Sequence, residues 1–249
     1  MADDTARELH AEIEAVGLVK RFRGTAALDG VDLSVATGEL CGVVGADGAG
    51  KTTLLRCVAG LYEPDGGAVR PGRAGRARVG FCPQGFHMYP DLTVDENVAF
   101  FGSAYGLERD ELQRRSAQLL EFAGLTEHHD RLAGNLSGGM RQKLTLACSV
   151  LHRPPILLLD EPTTGVDPVS RREFWDLVEV LHADGSTILL ASAYFDEVER
   201  CQRVVFLHDG RVLAVGTADE LTDGYTSLEM AFRSMMSAAP DGSAVGVER

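Results

Sequence analysis

Residues 45–53 read GADGAGKTT, and no other stretch of the chain limits its fold as tightly. The run fits Gly, four residues, Gly, Lys, then Ser or Thr. An apolar run, Leu40 to Val44, precedes it, and Leu54, Leu55, Val58 and Ala59 follow at helical spacing. Strand, glycine loop and helix in that order give the pattern a mechanism. The glycines let the backbone curl until its N–H groups converge on a phosphate chain. A helix starting near Lys51 adds its positive end to the same anion. Candidate nucleotide-binding residues are therefore Gly45, Ala46, Asp47, Gly48, Ala49, Gly50, Lys51, Thr52 and Thr53. Lys51 is expected to reach the terminal phosphates, and Thr52 to offer its hydroxyl to Mg²⁺.

A second motif supplies carboxylates. ILLLDEP, residues 156–162, is a wholly apolar run ending in two acids, the mark of a central parallel strand. Asp160 at its end is expected to hold Mg²⁺ from the side opposite Thr52. Side chains at successive positions diverge, which leaves Glu161 to face an attacking water as general base. Gln84 follows the short strand Val79–Cys82 and is a candidate to reach the same metal or water. Ser137, Gly138 and Gly139 open another helix, and a serine cap with two bare glycines makes a second anion site. The phosphate loop already serves its own chain, so this second site suggests that two chains each lend it to the other's nucleotide. Phe22, about two dozen residues before the loop, has two readings: an aromatic stacked on an adenine ring, or a strand aromatic in the core.

Strands and helices alternate along the chain, which predicts a mostly parallel sheet with helices on both faces. Ligands in such folds sit at the carboxyl ends of strands, where Gly45 and Asp160 both fall. The fold class is α/β of the phosphate-loop NTPase type, with an antiparallel β edge and a helical insertion. Residues 12–236 are expected to form one domain, with its helical part at about 86–150. Residues 1–11 and 237–249 are expected to be disordered tails. Thr93 with Glu96 predicts a capping box at a helix start, and Leu112, Leu119, Leu120 and Phe122 give the next helix its inward side. The last helix is expected to end near Met236.

Bulk properties exclude several classes. Lys and Arg number 24 against 37 Asp and Glu, a net charge of −13, which argues against a surface built to grip nucleic acid. No run of about 18 apolar residues occurs, so no bilayer-spanning helix is expected. The acidic start, MADDTARELHAEIE, lacks the apolar core of a secretion signal. Five scattered cysteines predict free, buried thiols in a reducing compartment. Histidines 10, 87, 128, 129, 152, 182 and 208 show no metal-ligand spacing.

Taken together, the motifs resemble the nucleotide-binding domain of the ABC ATPase superfamily, over nearly all of Ile13 to Met236. GADGAGKTT stands as Walker A, with Asp47 where Asn is usual. Pro83–Gln84 stands as the Q-loop, and LSGGM at 136–140 as the signature, with Met140 in place of the common Gln. ILLLDEP stands as Walker B with the catalytic glutamate, and GVDP, which contains Asp167, as the D-loop. The resemblance implies ATP and Mg²⁺ as cofactors. It also implies a second ABC ATPase domain packed head to tail, with each ATP between one Walker A and the other domain's signature. Phe22 would then be the adenine-stacking aromatic. PDLTVDEN, the GGMRQKL helix and PTTGVDPVSRREFW are similar to exporter-type ATPases of bacterial drug and lipid efflux. They are similar also to the tandem efflux and ribosome-associated ATPases that share this D-loop run. That implies integral membrane permease subunits as partners and a cytoplasmic position on the inner face of the membrane. A soluble ribosome-associated ATPase and a hydrolysis-impaired ATP clamp in a heterodimer are the alternatives. One departure bears on activity: aligning ASAYFDEVERC on the family puts Ala193 where a switch histidine usually contacts the γ-phosphate.

Overall fold

Strand β3 (Leu40–Val44) is buried along its whole length and lies fourth in a six-stranded sheet. The structure, a computed structural model, describes residues 11–72, 75 and 78–238. The sheet runs β5 (Val79–Cys82), β6 (Ile156–Asp160), β7 (Thr187–Ser192), β3, β8 (Arg203–His208), β9 (Arg211–Gly216). All neighbours pair in parallel except β8 and β9. Continuous Leu, Ile and Val runs suit strands covered on both faces. Register sets the site: Val43 pairs with Ala191, and Ala191 pairs with Asp160. The carboxyl ends of β3, β7 and β6 are therefore level.

The two faces are covered differently. Leu40, Val44, Leu157, Leu159 and Leu190 pack under four helices: α4 (Gly138–Val150), α5 (Pro168–Ala183), α6 (Phe195–Val198) and α8 (Leu228–Ala238). Phe174, Trp175 and Phe232 fill this side. On the other face, α1 (Lys51–Val58) lies with a separate antiparallel sheet of β2 (Thr25–Ala36), β1 (Ala11–Phe22) and β4 (Gly66–Arg70). Ile13, Leu18, Val31 and Val35 of that sheet join Leu54, Leu55 and Val58 of α1 in one cluster with Val43, Leu158 and Leu189. Helices thus cover both faces, as expected, and on one of them a second sheet joins α1. The reason is patterning: β2 alternates buried and exposed positions, so one side of it must meet water.

Helices α2 (Val94–Ala104) and α3 (Arg109–Phe122) build their own small core with α4, around Val98, Leu120, Leu125, Leu144 and Leu151. Helix α4 serves both cores: Leu146 and Val150 point to the sheet, Leu144 and Cys148 to the helical unit. Its end meets β5 at backbone contact, because a Cβ on Gly80 would stand 2.4 Å from the Ser149 carbonyl oxygen. The Ser149 hydroxyl donates to the Phe81 carbonyl at 3.0 Å. The capping box forms: Thr93 Oγ1 accepts from the Glu96 N–H at 3.2 Å, and Glu96 Oε2 accepts from the Thr93 N–H at 2.8 Å. A second box, Thr217 with Glu220, opens the short helix α7 (Ala218–Thr222), which the sequence reading passed over although its Thr-x-x-Glu signal was present. All five cysteines are free and buried, and burial pushes the Cys57 thiol up to about 11. The tails expected at 1–11 and 237–249 lie outside the described residues except at their inner ends. Ala11 opens β1, and α8 continues to Ala238, two residues past its expected stop.

Gly42, in the middle of β3, lets α6 lie directly on the sheet. A Cβ there would fall 2.8 Å from Val198 Cγ1 and 2.9 Å from Cys201 Sγ. Gly42→Ala should lower stability by about 1–3 kcal/mol through overpacking, read as a lower urea midpoint with an unchanged slope.

Candidate active site at the strand ends

The phosphate loop needs its glycines for separate reasons. Gly45 passes so close to β8 that a Cβ would stand 2.1 Å from the Leu207 carbonyl oxygen. Gly50 combines φ +106 with a Cβ position 2.4 Å from the Ala27 carbonyl oxygen. The loop closes on itself through Ala49 N–H to the Ala46 carbonyl at 3.1 Å. Gly50 caps α1 with no side-chain acceptor, and the first turn holds no acid. The helix start therefore keeps both its free N–H groups and its positive end for an anion.

Lys51 is only 4% exposed. Its ammonium donates to the carbonyls of Gly45 at 2.8 Å and Ala46 at 3.2 Å, and pairs with Glu161 Oε1 at 3.2 Å. Glu161 Oε2 accepts from Gln84 Nε2 at 2.8 Å. Glu161 itself sits at φ 47, in the left-handed region, with its N–H donating to the Ala191 carbonyl at 2.8 Å. Such a backbone costs a non-glycine residue about 1–3 kcal/mol and persists where the surroundings enforce it. Here the turn aims the carboxylate at Lys51 instead of along the sheet. Thr52 Oγ1 donates to Asp160 Oδ1 at 2.9 Å. Asp160 is fully buried, and its other oxygen, Oδ2, has no hydrogen-bond partner. Burial pushes its carboxyl above the ordinary range, against the pull of the Thr52 hydroxyl.

Lys51, Thr52, Gln84 and Glu161 share one cleft of about 650 Å³ with the rest of Asp47 to Thr53, and Ala27, Thr164, Ala193 and Tyr194 complete it; Asp160, fully buried, reaches it only through its bond to Thr52. Thr164 and Ala27 escaped the sequence reading. Thr164, whose hydroxyl is 3.5 Å from Glu161 Oε2, was signalled only by its place just after the acid pair. Ala27 comes from a distant strand and carried no signal.

Other predicted residues lie outside the cleft. Ser137 caps α4, its hydroxyl accepting from the Met140 N–H at 3.3 Å, and it is exposed with Gly138. Gly139 is buried where α4 meets α5: a Cβ would stand 2.3 Å from Ser170 Cβ. Asp167 caps α5 by accepting from the N–H groups of Val169 at 3.1 Å and Ser170 at 3.0 Å, and the Ser170 backbone bond leads in holding its carboxyl below the ordinary range. Phe22 ends β1 at 42% exposure, edge-on to Tyr62 with ring centres 5.4 Å apart. The core reading of Phe22 is thereby excluded. A second cavity, of about 580 Å³, lies between α3 and the ends of α4 and α5, and holds none of the predicted residues.

A buried ammonium under a glycine loop, a carboxylate held by an amide, and a hydroxyl–carboxylate pair can bind a polyphosphate and activate water. Comparison with known proteins agrees with that chemistry. The ABC transporter family profile matches residues 28–164. The chain is 42% identical over 240 residues to the probable multidrug ABC transporter ATP-binding protein YbhF of Escherichia coli, covering 92% of this chain and 41% of that protein. It thus spans about two fifths of that relative's length. A solved ATP-binding subunit of an ABC transporter superposes with a TM-score of 0.80 at 30% identity, over 90% of this chain and 99% of the other. The dimeric bacterial ABC transporter cassette MJ0796 superposes with a TM-score of 0.75 at 26% identity, over 82% and 98%. Site, fold and relatives agree that the chain belongs to the ABC transporter family, as an ATP-binding domain.

Proposed function

We propose that this chain is the Mg²⁺-dependent ATPase subunit of an exporter-type ABC transporter, working as a dimer of cassettes on separate membrane-spanning permease subunits. The observation that carries the reading is the buried Lys51–Glu161–Gln84 cluster, set beside the Thr52–Asp160 pair beneath the phosphate loop. Phosphate oxygens compete with Glu161 for the Lys51 ammonium. Once Lys51 turns to them, Glu161 is left as general base, with Gln84 orienting it. Asp160 Oδ2 supports the fit to Mg²⁺: a buried, unpartnered carboxylate oxygen on the residue that Thr52 contacts. Thr52 and Asp160 would hold Mg²⁺, with Gln84 a further candidate ligand, and the ion would supply charge neutralisation at the phosphates.

The partner half of the site is Ser137, Gly138 and Gly139, an exposed, serine-capped helix start suited to a second chain's nucleotide. Asp167 caps the neighbouring α5 and stands at the same junction. Phe22 is exposed enough to stack on adenine. Dimer formation by the MJ0796 cassette supports the two-chain arrangement, and the multidrug name of YbhF supports export. No described helix is long and apolar enough to cross a membrane. In this reading the chain docks on the permease subunits from the cytoplasmic face. Tyr89 and Phe100, each nearly half exposed and packed edge-to-face at 4.6 Å, offer an aromatic surface five residues beyond Gln84 and on α2. A second reading, a slow ATP clamp, rests on Ala193, which brings only a methyl group to the cleft.

Glu161→Gln should cut steady-state hydrolysis about a hundredfold or more while ATP binding persists, and ATP should then trap a dimer on size-exclusion chromatography. Hydrolysis by the wild type that survives Lys51→Ala would refute the ATPase assignment. Ala193→His should raise turnover under the clamp reading, and an unchanged rate removes the missing histidine as the brake. Asp160→Asn should stabilise the nucleotide-free protein at neutral pH by roughly 1 kcal/mol, because it removes a buried charge. The folded-state pKa of Asp160 lies above its unfolded value, so protonation relieves the same penalty in the wild type as pH falls through that raised value. The advantage of Asp160→Asn should therefore shrink on acidification, as urea unfolding across pH would read, while Mg²⁺-dependent binding of ATP is weakened at every pH.

A further inference from the structure

Glu197 is a carboxylate the cleft does not contain, yet it is 2% exposed. It belongs to α6, a four-residue helix with no side-chain cap. Two hydroxyl donors and one cation surround it. The Thr163 hydroxyl bonds Oε1 closely, the Ser192 hydroxyl donates to Oε2 at 2.6 Å, and Arg171 Nε lies 3.3 Å from Oε1. Ser192 is used twice, since its oxygen also accepts the Tyr194 N–H at 3.0 Å. The turn from Ser192 to Tyr194 is thus tied at both ends, and it supplies Ala193 and Tyr194 to the cleft wall. Thr163 stands two residues after Glu161 and beside Thr164. One carboxylate therefore joins the chain leaving β6 to the chain leaving β7, beyond the last sheet contact. Arg171 extends the tie: its guanidinium lies 4.3 Å from the Tyr194 ring centre and pairs with Asp196 at 3.2 Å.

Packing does not call for this residue. Its neighbours in the helix, Phe195 and Val198, join the apolar cluster, and an apolar side chain at 197 would avoid the cost of burying a charge, which is several kcal/mol unless paired. A buried carboxylate that accepts from two hydroxyls and pairs with a guanidinium fixes geometry, because both hydrogen bonds break if the turns slide. Ala193 adds only a methyl group, so on this wall the backbone position and Tyr194 decide what faces the terminal phosphate.

We infer that Glu197 is a positioning residue for ATP hydrolysis, holding the Ser192–Tyr194 turn against the Thr163–Thr164 turn and so setting where Tyr194 and Ala193 stand relative to Glu161. The inference rests on the ATPase reading above. Its test uses the full chain, with Glu197→Gln, Thr163→Val and Thr163→Ser. In Glu197→Gln and Thr163→Val, kcat should fall about tenfold or more, with KM for ATP within about twofold of wild type. The double variant should be no slower than the slower single, because both changes break one tie. Thr163→Ser, which keeps the hydroxyl, should restore the wild-type rate. Hydrogen exchange at the Tyr194 amide should speed up about tenfold in Glu197→Gln. An unchanged Tyr194 exchange rate, or faster exchange with unchanged kcat, overturns the inference. So do independent, additive losses in the double variant. Absence of Lys51-dependent hydrolysis in the wild type would strike the ATPase reading instead, and Tyr194 exchange would still decide whether Glu197 fixes the turn.

Discussion

The site depends on a lysine ammonium that is buried. Lys51 starts α1 between the two sheets, and three oxygen acceptors hold it: two loop carbonyls and Glu161. Burying an ammonium is costly unless it is paired and hydrogen-bonded. Each acceptor exists only because something else is in place. The carbonyls of Gly45 and Ala46 are aimed by a loop that only glycine can thread past Leu207 and Ala27. Glu161 reaches Lys51 only through its left-handed turn, and that turn is held by the Ala191 carbonyl of the next strand. One ammonium thus ties the ends of β3, β6 and β7 into a single surface.

What was legible in the sequence is what short-range chemistry encodes. The glycine loop, the acid pair after an apolar strand, and the Thr93–Glu96 box all declare themselves within ten residues, since each rests on local backbone needs. Gln84 was readable only as company for the acids, and the structure puts it 2.8 Å from Glu161. Long-range placement was not legible. Nothing in the alternation of β1 and β2 says whether they extend the parallel sheet or form another, and the choice is made by which surface α1 leaves uncovered. Ala27 lines the cleft through a fold-level approach, so no property of alanine could announce it. Phe22 shows the same limit: its spacing suited a core strand or a stacking ring, and only three-dimensional burial separates them.

The two halves of the candidate composite site are held by different kinds of force. The cleft is electrostatic and buried, built from charges that constrain one another. The Ser137–Gly139 end is steric and exposed, built from a cap and a bare backbone pressed against Ser170. A surface of the second kind presents N–H groups without a countercharge of its own, which suits an anion carried by another molecule. Asp167 does not spoil it, because its carboxylate is consumed by the N–H groups of its own helix.

Helix α4 is the mechanical member between these regions. Its thirteen residues make a rod about 20 Å long. The far end is fastened to β5 through Gly80 and the Ser149–Phe81 bond, three residues from Gln84 in sequence. The near end carries Ser137. A stiff rod clamped at one end answers a small change there by swinging. A tilt of about 5° at the β5 end would move Ser137 by about 2 Å, several times the roughly 0.5 Å range of a hydrogen bond's length, so the fastening at Gly80 and Ser149 and the packing on Ser170 together fix where this helix start stands.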